Sequence, residues 1–169
     1  MKYISSDTNI WLDFEQIGRL NLPFALDYTY VMSSDTINDE LLDPPELKER
    51  LLSFGLLPLD IDESEYKLAI QYGQVYRKLS VYDRFALAIA KRRGYILLSG
   101  DGALRQAAIH ENITVKGTIW IIDQLLDQGK IPNTEYHAIM TELHDDTSGK
   151  VRLPRNELLK RITDPNTSP

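Results

Sequence analysis

Apolar positions along this chain switch repeatedly between two spacings. KYIS, YTYVMS, LLPLD, YILLS and ITVKG are short, apolar and rich in β-formers, the pattern of strands buried in a sheet. Longer stretches with helical spacing lie between them, at about 11–19, 36–53, 63–79, 82–93, 101–111, 118–129 and 133–144. Asp62 and Ser80 are placed to start helices, and Gly94, after Lys91-Arg92-Arg93, to stop one. This alternation predicts an α/β fold: a parallel sheet sandwiched by helices, with right-handed crossovers. There is no internal repeat.

The end of the chain breaks the pattern. Residues 147–169 hold several Ser, Thr, Asn and Pro, with five basic and two acidic side chains. That segment is net +3, so residues 1–146 carry −9 of the total −6. We read residues 1–146 as the domain and 147–169 as a basic C-terminal tail with one short helix around Asn156–Ile162. Such a segment is either a mobile tail or a basic arm that touches RNA, a partner or another subunit.

Composition narrows the chemistry. A chain of 169 residues fits one domain with an adequate core. With no cysteine, disulfides, thiolate zinc sites and cysteine nucleophiles are excluded. MKYISSDTN lacks the apolar run of a signal peptide, and no apolar run approaches the roughly 20 residues that span a bilayer. A cytoplasmic protein with no membrane partner is expected. An acidic total argues against a broad phosphate-binding surface. It leaves room for a nuclease in which metal ions bridge an acidic pocket to phosphate.

The acids fall in informative places. In open α/β sheets, ligands bind beyond the carboxyl ends of the strands. Asp7 directly follows the first strand, and Asp101 directly follows ILLSG. Glu40 lies early in the helix after YTYVMS, and Asp83 in the first turn of the helix begun at Ser80. Four carboxylates thus reach the same edge of the sheet from four segments. Hard cations such as Mg²⁺ or Mn²⁺ prefer oxygen ligands. Four acids can hold one ion, or two ions about 3.5–4 Å apart that activate water for phosphodiester hydrolysis. Each acid has a plainer reading: helix caps for Asp7 and Asp101, solvated first-turn acids for Glu40 and Asp83. Asp13, Asp35, Asp39 and Asp43 read as surface charges, and Asp123 as a minor supporting candidate.

SSDTNIWLDF, INDELL and SVYDRFALAIAKRRGYILLSGDGALRQAA, in this order and spacing, resemble the motifs of PIN-domain nucleases over residues 1 to about 130. The resemblance implies a three-layer α/β/α sandwich with a mostly parallel sheet. It implies a Mg²⁺- or Mn²⁺-dependent ribonuclease with Asp7, Glu40, Asp83 and Asp101 as the acidic ligand set. Asn9 would orient a carboxylate or bound water, with Thr8 and Ser99 in support. Many small PIN proteins are VapC-like toxins of toxin–antitoxin pairs, which implies an antitoxin protein as partner and a homodimer. A housekeeping PIN nuclease and a non-catalytic PIN-like binding module are the alternatives.

Arg84 and Arg105 lie close enough in sequence to Asp83 and Asp101 to reach substrate phosphate, with surface solubility or intrahelical pairing as the plainer reading. Trp11 and Trp120 read as core rather than as base-stacking platforms. An aspartyl phosphatase fits less well, because Asn9 stands where its second acid belongs. No GxxxxGK[ST] or GxGxxG loop is present.

Overall fold

KYISS becomes the central strand because alternate residues serve opposite faces. Ile4 enters one apolar core, while the Ser5 hydroxyl donates to the Ala86 carbonyl at 2.9 Å on the other side. The computed structural model describes residues 2–167. Its sheet comprises β1 (Lys2–Ser6), β2 (Tyr28–Ser33), β3 (Leu57–Leu59), β4 (Ile96–Leu98) and β5 (Val115–Lys116). The order is β3-β2-β1-β4-β5, and every neighbouring pair is parallel. The strand order reverses between β1 and β4, which opens a crevice at their carboxyl ends.

Nine α-helices are present among the described residues: α1 (Thr8–Gln16), α2 (Ser34–Glu40), α3 (Leu47–Phe54), α4 (Glu63–Val75), α5 (Val81–Arg93), α6 (Gly102–His110), α7 (Thr118–Asp127), α8 (Asn133–Asp145) and α9 (Arg155–Ile162). They form two layers, which makes the α/β/α sandwich. Tyr30, Met32 and Leu98 of the sheet join a core with Trp11, Ile121 and Ile139 from α1, α7 and α8. Leu97 joins a second core with Tyr72, Ala88 and Leu104 from α4, α5 and α6.

Local signals set most boundaries. Asp62 and Ser80 each close a capping box, and Gly94 ends α5 in the left-handed conformation at φ 68°. The single helix expected over 36–53 is two helices, α2 and α3. Pro44 and Pro45 lie between them, and proline removes a helix donor and clashes with the preceding turn. α1 begins three residues earlier than expected, directly after Asp7.

The C-terminal segment is docked through residue 167; its last two residues lie outside the described residues. Leu158 of α9 is fully buried in the larger core. Arg161 pairs with Asp123 of α7 at 2.8 Å, and a ring nitrogen of His137 lies 3.1 Å from the Ile162 carbonyl. Among the described residues no helix is long and apolar enough to cross a membrane.

Replacing Leu158 with alanine is expected to cost about 2–5 kcal/mol in urea unfolding. Leu159→Ala, at a position 48% exposed, should stay within about 0.5 kcal/mol. Equal effects would show that α9 is not held by its buried face.

Candidate active site

The crevice is built from the ends of β1 and β4. Asp7 follows β1 and occupies the N-cap position of α1, yet its side chain makes no capping bond. It is 7% exposed, and its Oδ2 accepts from the Ser99 hydroxyl at 3.0 Å. Asp101 follows β4 and does cap: its Oδ1 accepts from the Leu104 N–H at 2.8 Å. The Asp101 N–H donates to the same Ser99 hydroxyl at 3.0 Å. One buried serine therefore ties the two strand-end acids together.

The other two acids come from helices. Glu40 is the last residue of α2, and its Oε1 accepts from the Thr8 hydroxyl at 2.9 Å. Asp83 sits in the first turn of α5, where its Oδ2 accepts from the Ser80 N–H at 2.8 Å. The plainer reading of a helix-start residue thus holds for Asp83 and Asp101 in addition to any other role. It does not account for Asp7.

Like charge gathers here and is only partly compensated. Burial raises the Asp7 carboxyl to about 7, and the like charges of Asp83 and Glu40 push the same way against hydrogen bonds from Ser99 and the Thr8 backbone. Burial also raises Glu40, opposed by the Thr8 hydroxyl and reinforced by Asp83 and Asp39. Asp83 is raised by burial and by Asp101, and lowered by its Ser80 bonds and by Arg84. Asp7, Glu40, Asp83 and Asp101 therefore form a linked electrostatic set.

They do not close on a point. Among the described residues, no three His, Cys, Asp or Glu side chains are gathered closely enough to hold a metal ion. A tight cage is not what Mg²⁺ requires, since it keeps several waters and takes one or two direct carboxylates. An all-oxygen, acid-rich crevice fits a hydrated hard cation, which on binding would displace the proton that Asp7 otherwise keeps.

The crevice opens into a groove of about 1110 Å³, lined by Asn9, Asp13, Glu40, Asp101, Lys150 and Arg152 among others. Asn9 is exposed on it. Arg84 is engaged elsewhere: its Nε donates to the Ser80 carbonyl at 3.2 Å, and its guanidinium covers Gly73 of α4. A Cβ at Gly73 would stand 2.1 Å from Nη1, so this arginine serves the α4–α5 contact. Arg105 donates to the Ser99 carbonyl at 2.8 Å and lines an adjoining groove. Trp11 is fully buried, with Nε1 donating to Ser6 Oγ at 3.2 Å.

Two acids differ from their sequence reading. Asp13, read as a surface charge, is 7% exposed and accepts from the Thr118 hydroxyl at 2.6 Å. Burial raises it to about 6, opposed by Thr118 and reinforced by Asp146. Asn9, Asp13 and Gln16 form a polar i, i+4, i+7 stripe on α1 that marks the groove all three line, but not the burial of Asp13 against Thr118. Asp123, a supporting candidate, instead anchors α9 through Arg161 and accepts from the Tyr136 hydroxyl at 2.8 Å.

Asp7 and Asp13 hold protons more tightly folded than unfolded. Each stabilises the fold below its unfolded value of 3.8, and that contribution is lost as pH rises through about 7 for Asp7 and about 6 for Asp13. In EDTA at pH 8, Asp7→Asn should raise stability by about 1–3 kcal/mol, with little effect near pH 4. Thermal melts across pH check this. A less stable variant at pH 8 would show that Asp7 has a stabilising partner other than Ser99.

A family model described as PIN domain matches residues 3–163. No curated protein and no solved structure matches at a significant level. The match runs through the carboxylate crevice and through α9, so by sequence this chain belongs to the PIN-domain family.

Proposed function

We propose that this chain is a cytoplasmic, metal-dependent ribonuclease that hydrolyses RNA phosphodiester bonds at Asp7, Glu40, Asp83 and Asp101. PIN domains are generally nucleases. The observation that carries the reading is Asp7: a buried carboxylate facing like charges, with hydroxyl and backbone donors but no paired cation among the described residues. A divalent ion is the group that would offset such a site.

The residues divide the work. Asp7 and Asp101 would hold Mg²⁺ or Mn²⁺ at the strand ends, with Glu40 and Asp83 completing the acidic set. When bound, the ion supplies charge neutralisation at the scissile phosphate and activation of water. Ser99 fixes the separation of Asp7 and Asp101 by bonding to both. Thr8 holds Glu40 toward the crevice. Asn9, exposed at the groove, orients substrate or solvent.

As to biological role, we propose the toxin of a toxin–antitoxin pair acting as a homodimer, with an antitoxin protein that covers the groove. A housekeeping nuclease uses the same site without that partner.

Purified protein incubated with a mixed RNA pool should cleave in Mg²⁺ or Mn²⁺ and not in EDTA. Asp7→Asn and Asp101→Asn should each lower the rate by about 100-fold or more, and Ser99→Ala by about 10-fold. Gel analysis of the products reads the outcome. Metal-independent cleavage, or full activity in Asp7→Asn, would overturn the assignment. A folded protein that binds RNA without cutting it would be a PIN-like binding module.

A further inference from the structure

The positive charge of this acidic chain is unevenly committed. Arg19, Arg50, Arg93 and Arg161 are all held in salt bridges. Lys150 and Arg152 have no side-chain carboxylate partner among the described residues, and both are exposed and line the groove beside Glu40 and Asp101. Exposed and half-buried residues alternate along 150–153. Val151 and Leu153 pack against the larger core, so the alternate residues 150 and 152 face away from it. Two residues span at most about 6.6 Å of chain, the scale of the step between neighbouring phosphates of a nucleic-acid strand.

The groove also continues. A second groove of about 680 Å³ adjoins the first, and Gly100, Arg152 and Leu153 line both. Its walls include Arg105, Lys116 and Trp120. Trp120 is half-buried, with the Lys116 ammonium 5.7 Å from its ring centre. Cations next to an apolar aromatic wall suit a single strand with its phosphates on one side and its bases on the other.

We propose that Lys150–Leu153 is a strap that positions single-stranded RNA, with Lys150 and Arg152 on consecutive phosphates and the strand running past Gly100 to Lys116 and Trp120. This rests on the ribonuclease reading for what the strand is positioned to meet. Lys150, Arg152 and Lys116 act as positioning residues, since none of them touches the carboxylate set. An acidic peptide is the rival occupant; it lacks the bases that the Trp120 wall would receive.

The test separates binding from cleavage. Full-length Asp7→Asn protein in EDTA is titrated with a short fluorescent single-stranded RNA over a series of KCl concentrations. The Lys150→Glu/Arg152→Glu double variant should bind about 10- to 100-fold more weakly, with a salt slope flatter by about 1.4, from roughly 0.7 per single-strand phosphate contact. Lys116→Glu should weaken binding as well, while Lys67→Glu, at an exposed position of α4, should not. In the wild-type background, the double variant should raise KM while leaving kcat and Mn²⁺-induced thermal stabilisation unchanged. Unchanged affinity and salt slope in the double variant would overturn the strap and leave the nuclease reading standing. Strap-dependent RNA binding without metal-dependent cleavage would sink the nuclease reading and keep the strap. Tight strap-dependent binding of poly-glutamate with none of RNA would overturn the proposal in favour of an acidic protein partner.

Discussion

A carboxylate buried at the end of the central strand is costly, and the residues around Asp7 limit that cost without removing it. The Ser99 hydroxyl and the Thr8 backbone N–H donate to it, and it stands at the positive end of α1. Against these, burial and two neighbouring acids hold its proton on up to about 7. The doubly wound sheet makes the position unavoidable. β1 lies between β2 and β4, so whatever follows it faces the crevice where the strand order reverses.

That constraint explains why small hydroxyl residues crowd the strand ends. Ser5, Ser6, Ser33 and Ser99 are all buried, and each finds a partner close by: a backbone carbonyl for Ser5 and Ser6, the Thr36 N–H for Ser33, an aspartate for Ser99. No buried side-chain nitrogen or oxygen among the described residues lacks a hydrogen bond. The unsatisfied quantity at this site is charge, which hydrogen bonds from neutral groups offset only in part.

Much of this was legible in the residue pattern, because strand and helix spacings differ and the caps are local. Asp62, Ser80 and Gly94 mark their boundaries through bonds within a few residues. Asp7 and Asp101 follow their strands as the pattern indicates, whereas Glu40, read as early in its helix, is the last residue of α2. Two features depend on long-range packing. Asp13 is buried because Thr118, 105 residues away, comes to meet it. Arg84 reads as a phosphate contact until the absent side chain of Gly73 gives it a resting place. The helix expected across 36–53 ignored Pro44-Pro45, a local signal that was there to be read.

The division between acids that cap and acids that do not bears on how relatives of this chain should be compared. Asp101 and Asp83 start their helices by bonding backbone N–H groups, and losing such a cap costs about 1 kcal/mol whether or not any reaction occurs. Under the proposed function, a descendant that abandoned catalysis would still be held to a capping residue at 101 and, at 83, to a side chain that reaches back to the Ser80 N–H. Asp7 caps nothing, and an amide there relieves the fold of a burdensome charge. Under the proposed ribonuclease function, an acid retained at position 7 would record upkeep of chemistry, whereas acids at 83 and 101 would record chemistry and architecture together.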